Sequence, residues 1–344
     1  MFLIDALFVS IGLTWLSIYF GRRFGLVDIP NQRKQHTGEV PLVGGMAVFA
    51  SLLVCSLMLG TPPYTYHMFI IATGVFLVGV YDDYKHINPW IRLAIQYGAG
   101  VLLATWGGIV IVNVGNLLAM GDIPLLVLAV PLTALSVAGL SNAYNMIDGV
   151  DGLAAALIAL PLGVLFVLAA QAQHIEAPFL LLMLIPLAIF LVFNLGPNTA
   201  MIPKIFLGDG GSVTLGFLVT SSLVYFSQGE GALIAPVTAL WLVTVPLMDM
   251  LATMGRRLKS GKKLMEADRS HLHYTLMGMG LSARMTLWIL VSYGLACAIL
   301  GLYLERIPPY MSLLAYFILF FCHCGFVVLT SKGEVPVSPS GPNN

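Results

Sequence analysis

Polar side chains that could bind a charged ligand are concentrated in four short segments of this sequence. They are the pair Asp82-Asp83, residues 142–152 (NAYNMIDGVDG), residues 206–212 (FLGDGGS) and residues 268–273 (DRSHLH). Carboxylates that converge repel one another and are costly to bury, so a cluster of them needs a positive partner. Mg²⁺ prefers carboxylate oxygens together with the phosphates of a substrate. The residue types therefore predict a site for a Mg²⁺–pyrophosphate ligand.

Glycines and basic residues accompany these segments and suit the same ligand. Glycine lets backbone N–H groups approach a phosphate closely, and Lys and Arg side chains bind phosphate oxygens. The glycines are Gly149, Gly152, Gly208, Gly210 and Gly211, and the basic residues are Lys85, Arg92, Lys204 and Arg269.

Each segment by itself also has an ordinary structural explanation. Asp82-Asp83 can end a helix in water, the glycine-rich segments can be plain turns, and His271 and His273 can lie on a solvated loop. Asp249 can be a buried structural acid of a helix. A shared site is favoured because these residues follow successive apolar runs that are expected to end on the same side of a membrane.

The composition is that of an integral membrane protein. Of the 344 residues, 58% are hydrophobic and 9% are charged, and the mean hydropathy is +0.92. Soluble domains have about 45–50% apolar and about 25% charged residues. The net charge is zero, which gives no reason to expect a nucleic-acid partner. We expect the first apolar run to be a span and not a cleaved signal, because its basic residues follow it.

Eleven apolar runs are candidates for helices that cross the bilayer, which takes about 20 residues each. They lie at 2–20, 42–60, 68–81, 91–106, 123–143, 153–170, 177–195, 211–228, 234–254, 286–304 and 310–330. The predicted fold is an all-α polytopic membrane protein with a single domain over 1–330. Residues 331–344 are rich in Pro, Ser and Gly and are predicted to form a disordered cytoplasmic tail.

The Lys and Arg residues give this topology an orientation. If the N-terminus is outside, 15 of the 16 Lys and Arg residues lie on the cytoplasmic side, and Arg306 is the exception. An odd number of spans then puts the C-terminus in the cytoplasm. The acidic segments all fall at cytoplasmic helix ends, and the outer segment 107–121 is predicted to form a small hairpin.

The same segments carry a resemblance to a known family. The chain resembles the polyprenyl-phosphate N-acetylhexosamine-1-phosphate transferases, and within them the WecA type of undecaprenyl-phosphate α-N-acetylglucosaminyl 1-phosphate transferase. The resemblance runs from 25–28 (GLVD) to His271 and weakens in the last two spans. Its motifs, in family order, are the Asp-Asp pair, NAxNMxDGxDGL, FxGDxGS, PLMDM at 246–250 and DRxHxH, with PLVGG at 41–45.

The resemblance implies an enzyme of the bacterial inner membrane with its active site on the cytoplasmic face. It would transfer N-acetylglucosamine-1-phosphate, or a related N-acetylhexosamine-1-phosphate, from the UDP-sugar to undecaprenyl phosphate and release UMP. Such a step begins lipid-linked synthesis of a cell-envelope polysaccharide such as the lipopolysaccharide O-antigen. Tyr274 stands where many relatives carry a further histidine. The muramoyl-pentapeptide branch has a histidine cluster there, so UDP-GlcNAc is the favoured donor. A homodimer is one possible assembly, and the sequence does not decide the oligomeric state.

The resemblance also implies roles for the metal and the acceptor lipid. Asp209 would ligate Mg²⁺, or Mn²⁺ in its place, with Asn145 as a second ligand. Asp82 would deprotonate or orient the lipid phosphate, with Asp83 beside it. Pro246 would bend the ninth span and open a groove for the polyprenyl chain.

The remaining roles concern the nucleotide sugar. Asp148 and Asp151 would shape the nucleotide pocket, and Phe206 would stack on uracil. The other residues assigned to the catalytic or substrate site are Lys85, Arg92, Asn142, Arg269, His271 and His273. Because residues two apart on a helix splay over about 200°, residues 269–273 are predicted to be non-helical or broken, so that both histidines reach the substrate above Asp209.

Alternative mechanisms and functions stay open at this point. Direct displacement at phosphorus is favoured over a two-step route in which Asp82 or Asp209 becomes an aspartyl-phosphate. A secondary transporter of an anionic or proton-coupled solute would place ionisable residues near the bilayer midplane, where this sequence offers only Asp249. A non-catalytic lipid-binding scaffold would leave the collected carboxylates without a purpose.

Overall fold

A computed structural model of the chain describes residues 2–29, 38–61, 64–263 and 271–331. Arg269 lies outside these ranges, and so does the expected tail apart from its first residue.

Helices make up nearly all of the regular structure. A helix, or in one case a pair of helices, lies at each of the eleven predicted positions, so the all-α class is confirmed. The helices are α1 (Phe2–Arg23), α2 (Gly44–Met58), α3 (Tyr66–Lys85), α4 (Pro89–Thr105), α5 (Ala129–Ile147), α6 (Leu153–Gln171), α7 (Ala177–Leu195), α8 (Gly208–Ser227), α9 (Pro236–Leu242), α10 (Thr244–Lys259), α11 (Leu272–Gly278), α12 (Ala283–Leu304) and α13 (Pro309–Ser331).

Not all of these helices have the dimensions of a membrane span. Within the described ranges, seven are long and apolar enough, and the bent pair α9–α10 makes an eighth. The seven are α1, α5 (extended back to Leu126), α6, α7, α8, α12 and α13. Helix α2 has only 15 residues, and α3 ends in a polar turn that holds Asp82 and Asp83. The polytopic architecture is thus supported, while the count of eleven spans and the orientation of the termini stay predictions.

Helix α8 is the centre of the bundle. In its apolar stretch, 94% of the residues are buried within the protein. The corresponding fractions are 22% in α1 and 17% in α13, so these two helices lie at the periphery. Helix α3 approaches α8 so closely that a Cβ atom at Gly79 would lie 2.5 Å from the Cα atom of Gly210. Only glycine at this contact permits that approach, which brings the end of α3 and the start of α8 together.

The predicted bend in the ninth span is present. Helices α9 and α10 meet at Val243 with an angle of 80° between them. Pro246 lies in the first turn of α10 and has no N–H to donate to the carbonyl of Leu242, which favours a break one turn before it. The break falls three residues before the proline that was expected to cause it.

Two short extended segments complete the fold. Strands β1 (Val27–Asp28) and β2 (Val40–Pro41) pair antiparallel, and the Pro41 carbonyl accepts the backbone N–H of Phe206 at 2.9 Å. The hairpin expected at 107–121 is reduced to one antiparallel bridge between Asn113 and Pro124. The predicted range ends too early, because the pairing continues to Leu125, whose N–H donates to the Val112 carbonyl.

Candidate active site

Asp83 joins the end of α3 to the start of α8. Its carboxylate accepts the backbone N–H groups of Asp209 at 2.7 Å and Gly210 at 2.9 Å. The first N–H groups of a helix lack partners inside the helix and attract negative charge. Burial, together with the charge of Asp209, raises the pKa of Asp83 to about 7, even though the two N–H groups lower it. Asp83 is thus the cap that fixes where Asp209 stands.

Arg92, in the first turns of α4, connects two carboxylates. Its Nη1 donates to Asp82 Oδ2 at 2.8 Å and to Asp209 Oδ2 at 3.0 Å. The other oxygen of Asp82 accepts the backbone N–H of Ile87 at 2.6 Å. The side chain of Asp82 is only 3% exposed, whereas that of Asp209 is 39% exposed. Of these two acids, Asp209 is therefore the one that a ligand can reach.

Asn145 approaches Asp209 from the end of α5. Its Nδ2 donates to Asp209 Oδ1 at 2.7 Å and to Ser212 Oγ at 3.0 Å. Ser212 in turn donates to the Gly208 carbonyl at 3.1 Å. Sequence reasoning assigned no role to Ser212, although its motif, FLGDGGS, was the signal that could have indicated one.

Asp148 follows directly after α5 and joins the same cluster. Its enclosure by protein atoms, and then the negative charges of Asp209, Asp83 and Asp151, raise the pKa of Asp148 to about 8. The acids of three sequence segments therefore act on one another electrostatically, as the motif pattern predicts. At neutral pH some of these carboxyl groups therefore hold a proton, unless a bound cation takes its place.

Lys204 contacts both Asp151 and Phe206. The Lys204 ammonium forms a salt bridge with Asp151 and lies 5.4 Å from the centroid of the Phe206 ring. Asn194, which sequence reasoning missed, donates to the Ile205 carbonyl at 2.8 Å and thereby attaches the end of α7 to this segment. A small cavity beside the pair is lined by Val150, Asp151, Asn194, Leu195, Gly196, Lys204, Ala283, Arg284 and Leu287.

Two of the predicted substrate residues make their described contacts with residues other than the acids. The amide of Asn142 is buried and donates to the sulfur of Met146 at 3.0 Å. Lys85 is exposed, and its ammonium lies over the ring of Tyr84 at 4.9 Å. Neither contact brings these side chains into the Asp82–Asp209 cluster.

His271 stands at the start of α11 in an extended conformation, with φ −71° and ψ 155°. The helix begins at Leu272, so a segment that is non-helical throughout is wrong for the last two residues, while the change from extended His271 to helical Leu272 agrees with the predicted alternative of a broken segment. The physical reason is that Asp249 accepts the N–H of Leu272 at 2.7 Å and so caps the new helix. Residues 269 and 270 lie outside the described part of the chain.

His273 is completely buried inside this helix start. Its ring packs against Gly149, where an added Cβ atom would lie 2.3 Å from Nε2. Neither ring nitrogen has a hydrogen-bond partner among the described residues. Burial lowers the pKa of His273 to about 4, so the ring is neutral at pH 7. The buried ring of His273 therefore packs against the turn formed by Asp148 and Gly149 and supports it.

The donors around Asp209 suit a metal ion that is shared with a ligand. Among the described residues, no three His, Cys, Asp or Glu side chains are arranged to hold a metal. Asp209 offers a partly exposed carboxylate, and Asn145 offers an amide whose oxygen and nitrogen exchange places by rotation. Mg²⁺ commonly binds one or two carboxylates and completes its shell with water and substrate phosphates. The pair fits that arrangement and does not form a cage made by protein alone.

The fold and the site together define a helical membrane protein with an acid cluster at one end of its central helices. A model of glycosyl transferase family 4 matches residues 65–227, which extend from the start of α3 to the end of α8. The matched region contains the acids at 82, 83, 148, 151 and 209, and also Arg92 and Asn145.

Similar proteins from bacteria share most of the chain. It is 32% identical over 310 residues to the undecaprenyl-phosphate α-N-acetylglucosaminyl 1-phosphate transferase of Yersinia pestis, covering 89% of this chain and 85% of that protein. The protein of the same name from Escherichia coli strain K12 is 32% identical over 321 residues, or 90% and 87% of the two chains. That from Haemophilus influenzae is 31% identical over 306 residues, or 87% and 85%. The chain belongs to this family of membrane sugar-phosphate transferases.

Proposed function

We propose that this protein transfers N-acetylglucosamine-1-phosphate from UDP-GlcNAc to undecaprenyl phosphate. The products are UMP and a sugar linked to the lipid through a pyrophosphate. The names of the similar proteins support the acceptor and the transferred sugar phosphate. The observation that carries the proposal is the position of Asp209, which is partly exposed and lies between the guanidinium of Arg92 and the amide of Asn145.

The reaction joins two anions, so catalysis rests mainly on positioning and charge neutralisation. Mg²⁺, or Mn²⁺, held by Asp209 and Asn145 would offset the charge of the pyrophosphate and of the departing UMP. Arg92 contributes a fixed positive charge at the same place. Both of its carboxylate contacts use Nη1, so Nε and Nη2 carry further donors for a phosphate oxygen.

Asp82 acts on the acceptor through Arg92 in this proposal. One of its oxygens accepts the N–H of Ile87 and the other accepts from Arg92, so both are engaged with donors. Such a carboxylate is better suited to orienting the guanidinium than to removing a proton from the lipid phosphate. An oxygen of the lipid phosphate then attacks the β-phosphorus, and the bond between that phosphorus and the bridging oxygen of UMP breaks.

The nucleotide is assigned to the side of the site that holds Asp151, Lys204 and Phe206. The Phe206 ring offers a face for uracil, and its backbone is fixed by hydrogen bonds with β2 and the start of α2. Lys204 already lies near that ring and carries a positive charge toward the same region. This assignment leaves the opening at Asp209 for the pyrophosphate.

The proposed location is the bacterial inner membrane, with the site on its cytoplasmic face. The basis is the distribution of Lys and Arg, which favours an inner position for the acidic helix ends. A nucleotide sugar is a cytoplasmic metabolite in this scheme, while the polyprenyl chain stays in the lipid beside the bent span α9–α10.

The test is product identification with purified protein in nanodiscs. UDP-GlcNAc labelled in its β-phosphate is incubated with undecaprenyl phosphate and Mg²⁺, and the organic phase is analysed for a labelled lipid pyrophosphate. UDP-GalNAc and UDP-glucose serve as competing donors. Label in the lipid from UDP-GlcNAc supports the proposal, and equal transfer from UDP-GalNAc would widen the sugar specificity. No label in the lipid with any of these donors would contradict it.

A further inference from the structure

Asp249 forms a buried pair with His271 that joins the bent span to the start of α11. Its Oδ2 lies 2.8 Å from Nδ1 of His271, and its Oδ1 accepts the backbone N–H of Leu272 at 2.7 Å. Asp249 is 1% exposed and His271 is 5% exposed. The two residues are 22 positions apart in sequence, with Asp249 in α10 and His271 directly before α11.

A carboxylate in this position needs a reason, because burying one is costly unless donors surround it. The N–H of Leu272 satisfies one oxygen, and the imidazole satisfies the other. Since a carboxylate only accepts, the Nδ1 of His271 is the donor in this pair. The hydrogen bond therefore fixes the proton of the ring on Nδ1 and leaves Nε2 as the nitrogen for another ligand.

The surroundings of His271 place this ring near the carboxylate cluster. The rings of His271 and His273 lie parallel, at an interplanar angle of 3° and 5.7 Å between centroids. His273 packs directly against Gly149, the neighbour of Asp148. The start of α11 is thus attached on one side to the bent span and on the other to the turn that carries Asp148.

We propose that Asp249 is a positioning residue for His271: it holds the imidazole with Nδ1 protonated, so that Nε2 faces the phosphates of the nucleotide sugar. This inference rests on the proposed function and goes beyond it, because it gives the intramembrane acid of the PLMDM motif a role in substrate binding. Partners that orient a functional histidine through its second nitrogen commonly change activity about 10-fold to 100-fold when they are removed.

The simpler explanation is that Asp249 only caps α11. The variant Asp249→Asn distinguishes capping from the positioning of His271. Asparagine retains an oxygen that can accept the N–H of Leu272, so the cap can persist. It lacks the negative charge, and its amide can donate to Nδ1 and reverse the tautomer of the ring. A role limited to capping predicts nearly normal kinetics for this variant.

The kinetic test is a double-mutant cycle on Asp249→Asn and His271→Gln, measured as kcat and KM for UDP-GlcNAc. We expect each single variant to lower kcat/KM about tenfold or more, with the same division between kcat and KM. The double variant should be no worse than His271→Gln alone. Thr253→Val is the matched control, because Thr253 is buried and lies only 3.5 Å from Nδ1 of His271; it should stay within about twofold.

A second measurement does not depend on how well the Asp249 variant folds. Long-range ¹H–¹⁵N spectra of wild-type protein with ¹⁵N-labelled histidine report the tautomer of each ring, and the signals lost in His271→Gln identify His271. We expect the Nδ1–H form. Multiplicative losses in the cycle, or an Nε2–H tautomer, would overturn the inference. A wild-type protein without transferase activity would instead contradict the proposed function, while the tautomer measurement would still stand.

Discussion

Asp83 accepts the backbone N–H of Asp209 at 2.7 Å, so one acid of the site fixes the place of another. The contact crosses from α3 to α8 and comes from residues 126 positions apart. It explains why two acids occur in succession at the end of α3. Asp82 binds Arg92, whereas Asp83 caps the helix that presents Asp209.

The acid cluster should make stability fall with rising pH when no divalent cation is present. The pKa values of Asp83 and Asp148 are raised to about 7 and about 8. The folded protein then holds more protons than the unfolded chain between about pH 4 and about pH 8, so stability decreases across that range. Mg²⁺ should replace these protons and make the decrease smaller.

Thermal unfolding midpoints at several pH values, with Mg²⁺ or with EDTA, measure this effect. Asp83→Asn should flatten the pH dependence in EDTA, although its midpoint at low pH should also fall because one N–H of α8 loses its acceptor. Asp122→Asn, at an exposed acid far along the chain, is the control and should leave the slope unchanged. Equal slopes in wild type and Asp83→Asn would show that protons held by Asp83 do not cause the decrease in stability.

Gly149→Ala should impair the enzyme through His273. The added methyl group would lie 2.3 Å from Nε2 of His273, so the turn that holds Asp148 must move. A displacement of this kind commonly costs about 10-fold to 100-fold in kcat. His273→Ala should restore part of the activity in the double variant because it makes room. Gly163→Ala, where nothing lies within 4 Å of the added atom, should behave like wild type; loss of activity without any rescue would argue against this contact.

Direct displacement predicts that the donor half of the reaction cannot run alone. With wild-type protein, labelled UMP should not exchange into UDP-GlcNAc when undecaprenyl phosphate is left out. Adding the acceptor should start the exchange, since the reverse reaction then becomes available. Exchange without any acceptor would indicate a covalent enzyme intermediate, with Asp209 as the more accessible nucleophile because Asp82 is only 3% exposed.

Reporter fusions test the membrane orientation on which the shared face depends. A reporter after Arg23, Lys85 or Lys262 should read cytoplasmic, and one at Gln173 or Pro308 should read periplasmic. The fusion at Lys85 is the most informative, because α2 has only 15 residues and α3, although it has 20, ends in a polar turn. A cytoplasmic result at Gln173 would invert the topology and separate the nucleotide sugar from the proposed site.

The sequence allowed prediction of the helices and of the residues that meet around Asp209. Long apolar runs indicated where the helices lie. Acidic residues recur at the ends of successive helices, and this recurrence indicated that they share one site. What could not be predicted depended on single tertiary contacts. The cap from Asp249 starts α11 at Leu272 and turns His273 into the interior. The contact between the Asn142 amide and the sulfur of Met146 is likewise a single contact that the motif did not indicate.

Acceptor-dependent release of UMP by wild type and by Asp209→Asn is the most direct measurement. Purified proteins in nanodiscs are given UDP-GlcNAc, with and without undecaprenyl phosphate, over a series of Mg²⁺ concentrations. Wild type is expected to release UMP only when the lipid and Mg²⁺ are both present. Asp209→Asn should insert and fold normally but release at least about 100-fold less, because the oxygen that neutralisation requires has lost its charge. Normal release by Asp209→Asn, with an unchanged Mg²⁺ dependence, would show that the Asp209 carboxylate does not hold the metal.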